Sequence, residues 1–247
     1  MIFLRQLSPE FVKTILGLIS LLMALFVAIP FHEFAHAFVA KKQGDYTAVA
    51  YKRCTPRALV HFDFSGFFMM LLFGFGWAKP VPINKNNFKN GRKSQFLVSV
   101  AGIVMNLILG TIFLFIFMLI FKINSTFYDT SYYGYMLKMF LVYSFSLNFG
   151  LAFFNLLPIY PFDGYNIIDS MCRFDNAYLR FAKRYSTIIF VILIFTGIYD
   201  FCYGYIIENL YNLLINLFGK ILGLWWIKLM RQKILVWKNL VRVLLKI

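Results

Sequence analysis

Apolar residues in this chain gather in long unbroken runs rather than in alternating or heptad patterns. Residues 14–40 hold Glu33, His32 and His36 and no other acid, base or histidine. Residues 99–121, 141–161 and 186–199 hold no Asp, Glu, Lys, Arg or His at all. A helix needs about 20 apolar residues to cross a bilayer core. Three of the runs therefore predict spanning helices, and the fourth does so if it continues past Asp200 into the aromatic stretch beyond.

The pattern predicts helix 1 over about 14–40, closed by Lys41, Lys42 and then Gly44, in the order favoured at a helix C-terminus. Residues 46–51 and 58–64 are rich in Tyr, Val, Ala and Phe around a basic, Pro-containing turn, and predict a small β-hairpin. The apolar run 67–77 is too short to span and is interrupted by Gly74, Gly76, Pro80 and Pro82. It predicts a re-entrant or interfacial segment. A polar loop over 84–93 leads to helix 2 at about 94–121. Helix 3 follows at about 135–157 and is broken by Pro158 and Pro161. Further helices are expected over 186–227, the last at about 207–227, and a basic amphipathic tail over 228–247 is expected on the membrane surface. The fold class is thus an α-helical polytopic membrane protein of about four to six transmembrane helices, with a β-hairpin or re-entrant element near the site. It forms one membrane-embedded domain over 1–247, with a three-helix core at about 14–170.

Composition sharpens this picture. Of 247 residues, 61% are hydrophobic and only 14% charged, too few charges to clothe a soluble surface of ordinary composition. The formal net charge of +15 raises nucleic acid as a partner, but its distribution argues for a membrane. Ten Lys and Arg lie in 41–93, four in 173–184 and six in 228–247. Basic residues collect on the cytoplasmic flanks of membrane helices, so these three segments are expected inside and the 122–134 loop outside. No nucleic-acid partner is expected. Cys54, Cys172 and Cys202 are far apart and form neither a disulfide framework nor a thiolate metal motif. The first apolar run is too long for a cleavable signal segment.

The chemistry sits inside the first run. His32-Glu33-Phe34-Ala35-His36 is an H-E-x-x-H motif on a predicted helix. Residues four apart share a helical face, so both imidazoles can reach one zinc ion, with Glu33 near enough to act on a water. Ionisable groups in an apolar membrane run are costly and mark function. A third ligand is required, and Asp163 is the candidate. It follows Pro158 and Pro161, which end helix 3, and precedes Gly164, which permits a tight turn. If Lys41 and Lys42 lie inside, the end of helix 3 returns beside the end of helix 1. His61 and Asp63 share a face of the second expected strand and read as a surface pair. Lys79 reads as a side chain reaching for headgroups.

These residues resemble the site-2 protease family of intramembrane zinc metalloproteases. The likeness is carried by His32-Glu33-x-x-His36 and by Asn155-x-x-Pro158-x-x-Pro161-x-Asp163-Gly164. It extends to the Gly-Trp-Ala-Lys-Pro-Val-Pro segment from Gly76 to Pro82 and to Ala101-Gly102-x-x-x-Asn106. It spans about 28–170 and looks like the compact bacterial type, with no PDZ or CBS domain expected. Ile103 departs from the Pro that many relatives carry. The resemblance implies one zinc ion on His32, His36 and Asp163, with Glu33 as general base. It further implies that Asn155 and Asn106 help hold substrate or the developing oxyanion; an interhelical hydrogen bond is the competing reading for both.

The expected activity is hydrolysis of a peptide bond in a membrane-protein substrate, within or near the bilayer, by zinc-activated water. The extended backbone of 46–82 is expected either to accept an unwound substrate as an added strand or to form a structural plug. The enzyme is expected as a multi-pass protein of a bacterial inner membrane with its site toward the cytoplasm. Competing readings are a transporter that uses the His/Glu/Asp cluster for ions, an inactive zinc-binding scaffold, and a metal hydrolase acting on lipid.

Overall fold

The computed structural model of the chain describes residues 8–73, 78–124, 126–174, 176–196 and 198–223. They form α1 (Pro9–Lys42), α2 (Thr47–Ala50), α3 (Ala58–His61), α4 (Phe64–Phe73), α5 (Gly91–Ile123), α6 (Phe127–Thr130), α7 (Tyr132–Asn155), α8 (Asp163–Met171), α9 (Ala177–Arg184), α10 (Ser186–Phe195) and α11 (Ile198–Leu222), with a 3-10 turn at Lys85–Asn87. Three helices among the described residues are long and apolar enough to cross a membrane: α1 with 34 residues, α5 with 33 and α7 with 24.

The expectation of four to six spans is corrected to three among the described residues. The fourth apolar run does not continue as one helix. α10 stops after 10 residues, about 15 Å of rise against a core of about 30 Å. The next helix, α11, carries Asp200, Glu208 and Lys220 along its 25 residues. The tail over 228–247 and residues 74–77, which end the expected re-entrant run and include Gly76 and Trp77 of the Gly-Trp-Ala-Lys motif, lie outside the described residues.

The chain divides into two compact units. One comprises the described residues of 8–28, 109–148 and 210–223; the other comprises those of 29–108 and 149–209. In the first, Ala24, Met139 and Tyr143 form a buried cluster, packed by Leu21, Tyr135, Phe140 and Leu147. Ser20 Oγ contacts the carbonyls of Leu16 and Met136 at 2.7 and 3.1 Å. The Tyr128 hydroxyl donates to the Phe117 carbonyl at 3.0 Å, and the two rings stack with centroids 5.1 Å apart. Polar groups in an apolar run are thus absorbed by backbone carbonyls, as burial requires.

The second unit holds both halves of the motif set. α1 ends in a Schellman turn. The Gly44 N–H donates to Lys41 O at 3.1 Å and the Asp45 N–H to Ala40 O at 2.9 Å, with Gly44 at φ 102°, a conformation that glycine adopts without a Cβ penalty.

The β-hairpin expected over 46–64 is not formed; the segment carries α2 and α3 instead. Asp45 is the reason at the first expected strand. Its Oδ1 accepts from the Thr47 N–H at 3.0 Å and from the Thr47 hydroxyl, a local side-chain bond that begins a helical turn. Its other oxygen accepts from the Asn84 N–H at 2.7 Å, and Asn87 Nδ2 donates to Oδ1 at 2.9 Å. β-propensity in Tyr, Val and Thr yields to these contacts. His61 is likewise not a surface residue paired with Asp63. It is 1% exposed and its Nε2 lies 2.8 Å from the Thr55 carbonyl, while Asp63 accepts from Ser65 and the Gly66 N–H. The expected re-entrant run begins as the 10-residue helix α4.

Candidate metal centre

His32 and His36 lie on the same face of α1, one turn apart, 7% and 6% exposed. Their Nε2 atoms stand 3.0 Å from each other. Asp163 is the first residue of α8, and its Oδ2 lies 3.3 Å from His32 Nε2 and 3.2 Å from His36 Nε2. The three residues form a group able to hold a metal ion. Ligands about 2.0–2.1 Å from a tetrahedral ion stand about 3.3 Å apart, so the three separations match a shared zinc ion. Asp163 Oδ2 is buried and, among the described residues, receives no hydrogen bond. A buried carboxylate oxygen facing two ring nitrogens is costly unless a cation or proton sits among them.

The rings are aimed from behind. His32 Nδ1 is 2.5 Å from Asn106 Oδ1 and His36 Nδ1 is 2.7 Å from the Val98 carbonyl. Both partners are oxygen acceptors, which places the proton on Nδ1 and leaves the Nε2 lone pairs pointing at the centre. Asn106 is fully buried on α5. Expected near the substrate, it lies behind the His32 ring.

Glycines make the close approaches possible. A Cβ at Gly102 would overlap the His36 ring and stand 2.5 Å from His32 Cε1. α5 therefore passes directly over both imidazoles. At Gly164 a Cβ would run into the carbonyl oxygens of Leu156 and Leu157. α7 has ended at Asn155 because the residue before Pro158 is disfavoured in the helical region. The chain then turns tightly enough that α8 starts against those carbonyls, with Asp163 beside the rings.

Glu33 is half-buried, and its Oε2 accepts the Val81 N–H at 2.8 Å. The strip around Val81 is pinned at several points. The Lys79 N–H donates to His61 O at 2.9 Å, Pro80 O accepts Arg53 at 2.6 Å, and Asn84 is held by Asp45. Asn155 is partly buried at the end of α7, with its Nδ2 donating to Leu151 O at 3.0 Å. The sequence reading missed Val98, Val81 and Gly102 as contributors, since two of them act through backbone atoms alone and one through the lack of a side chain. Asp45 it missed as an anchor. The available signals were the pattern Gly102-x-x-x-Asn106 on α5 and the Pro80-Val81-Pro82 end of the Gly76–Pro82 segment.

Charge near the site is also managed. Burial pushes the Asp169 carboxyl up, but hydrogen bonds from Lys85 at 2.9 Å and Gln95 at 2.6 Å outweigh it and hold it below the usual range. Gln95 Nε2 also reaches the Asn166 carbonyl at 3.3 Å, so the α8 helix that carries Asp163 is tied to α5.

Comparison with known proteins agrees with the motifs. The family model described as Peptidase family M50 matches residues 20–196, which include all of them. The "Putative zinc metalloprotease YwhC" of Bacillus subtilis is 39% identical over 177 residues, covering 71% of this chain and 80% of that protein. The "Putative zinc metalloprotease MJ0611" of Methanocaldococcus jannaschii is 33% identical, covering 65% of this chain and 73% of its own length. "Zinc metalloprotease MJ0392" of the same organism is 25% identical, with 37% of its length covered. No solved structure matches. With the model spanning well over half of a helical membrane chain and every motif falling inside it, this protein belongs to peptidase family M50.

Proposed function

We propose that the chain is a zinc-dependent intramembrane endopeptidase that cuts membrane-protein substrates within or near the bilayer. The observation that carries this reading is the approach of Asp163 Oδ2, at the start of α8, to 3.2–3.3 Å from His32 Nε2 and His36 Nε2, which stand 3.0 Å apart in an apolar stretch of α1. These three atoms would hold one zinc ion. When bound, zinc supplies Lewis acidity toward a carbonyl and makes water a stronger acid.

The remaining chemistry belongs to this chain's own residues. Glu33 accepts a proton from the attacking water and passes it to the leaving amine. The Val81 N–H holds one oxygen of its carboxylate and so fixes its direction. Asn106 positions His32. Asn155 keeps one amide hydrogen beyond the one given to Leu151 O, and we assign it to the substrate or the developing oxyanion. His36 lies six residues before Lys42, about 9 Å along the helix. The site therefore sits toward the basic end of α1, and the collection of Lys and Arg there supports a cytoplasmic position for it. A bacterial inner membrane fits this arrangement, as does a substrate with a transmembrane segment that unwinds locally to expose its backbone.

The test is cleavage of a membrane-protein substrate by purified protein in detergent. Wild type should cut, a zinc chelator should stop it and added zinc should restore it. Glu33→Gln should reduce the rate by at least about a hundredfold. Cleavage that persists in Glu33→Gln removes Glu33 from the reaction, and ion flux in liposomes without any cleavage favours a transporter.

A further inference from the structure

We infer that α9 is a docking face for anionic lipid headgroups, with Arg180, Lys183 and Arg184 taking the phosphates and Tyr178, Phe181 and Tyr185 at the acyl boundary. The helix has two distinct faces. Inward, Leu179 and Ala182 are each 2% exposed and pack with Tyr165, Ile168 and Cys172 of the α8 region. Outward, Tyr178, Phe181 and Tyr185 recur at i, i+3 and i+7 and are 42%, 54% and 38% exposed. Phe174, a turn earlier, is 76% exposed. A row of large exposed rings is uncommon on a water-facing helix and marks an interaction surface.

Charge selects the partner. Residues 173–184 carry four Lys or Arg against one Asp, and the cations stand among the rings. Lys183 Nζ is 5.7 Å from the Tyr160 ring centroid, and the Arg184 guanidinium is 5.7 Å from that of Tyr185. Directly after Tyr185 the chain becomes the uncharged helix α10, whose Ile188, Val191 and Ile192 are exposed. A basic aromatic helix that gives way within one residue to a purely apolar one matches the boundary between headgroups and hydrocarbon. The same helix braces the segment around Asp163. The Tyr178 hydroxyl donates to the Pro158 carbonyl, and the Tyr165 hydroxyl to the Leu179 carbonyl at 3.4 Å. Lipid bound on α9 therefore stiffens the turn and the helix on either side of Asp163.

The inference rests on the membrane setting of the function proposed above and not on proteolysis. It is tested on the full chain in phosphatidylcholine nanodiscs with increasing phosphatidylglycerol, following thermal unfolding. Phosphatidylglycerol should raise the wild-type midpoint. Arg180→Gln/Lys183→Gln should lose most of that gain, since each charge removed weakens anionic-surface binding roughly fivefold. Lys52→Gln/Lys93→Gln, which removes the same charge elsewhere, should keep it. Equal loss in both variants, or no gain in wild type, overturns the inference. So does stabilisation by inorganic phosphate in pure phosphatidylcholine discs. A particle mass that doubles with concentration in wild type but not in Phe181→Ser would assign the face to a second copy and overturn it as well. Loss of cleavage with the lipid effect intact would count against the proposed function alone.

Discussion

A Cβ placed on Gly102 would stand 2.5 Å from Cε1 and 2.7 Å from Nε2 of His32. Two long helices meet here with no side chain between the backbone of one and the imidazole of the other. Gly102→Ala must push the rings or α5 aside, at about 1–3 kcal/mol of overpacking. The expected result is a folded protein with far weaker zinc retention, read by metal analysis after dialysis. Full zinc occupancy in Gly102→Ala would show that the rings have room to move.

Asn106 and Asn155 should separate under mutation. Asn106 Oδ1 lies behind His32 Nδ1, and loss of such a partner typically lowers metal affinity about 10–100-fold. Asn106→Ala should therefore weaken zinc binding in a competition titration with a chelator.

Asn155 bonds the Leu151 carbonyl of its own helix and is assigned to the substrate. Asn155→Ala should leave zinc affinity unchanged and lower kcat. A zinc defect in Asn155→Ala would place it with the metal ligands instead.

Asp45 is fully buried and organises the turn between α1 and the strip that holds Glu33. Burial pushes its carboxyl up, but hydrogen bonds from Thr47 and Asn87 and the N–H groups of Asn84 and Thr47 outweigh it and lower the pKa. A depressed folded pKa stabilises the fold above the ordinary aspartate value near 3.9. That contribution is lost as pH falls through the lower folded value. Wild type should thus lose stability as the medium is acidified below about pH 4, and Asp45→Asn should show a shallower dependence there. Asp45→Ala should cost about 2–4 kcal/mol at neutral pH, because buried donors lose their acceptor. Thermal unfolding in detergent across that pH range checks both statements.

The parts legible from sequence were those set by local pattern. Helices expected at 14–40, 94–121 and 135–157 correspond to α1 at Pro9–Lys42, α5 at Gly91–Ile123 and α7 at Tyr132–Asn155, because an apolar run of that length specifies a helix wherever it lies. The pairing of His32 with His36 followed from helical spacing, and Asp163 from the proline break. The failures came where distant residues decide local structure. Residues 46–51 looked like a strand until Asp45 met Asn84 and Asn87, some forty positions away. α10 ended at Phe195 rather than continuing through Asp200. The Val98 carbonyl behind His36 has no side-chain signature, so no reading of residue types could find it.

The central claim is that His32, His36 and Asp163 share one zinc ion while Glu33 acts on water. The direct measurement is zinc content per purified chain in wild type, Asp163→Ala and Glu33→Gln, with cleavage assayed on the same samples. About one zinc is expected in wild type and in Glu33→Gln and little in Asp163→Ala, with cleavage in wild type alone. Full zinc in Asp163→Ala, or cleavage by Glu33→Gln, would contradict it.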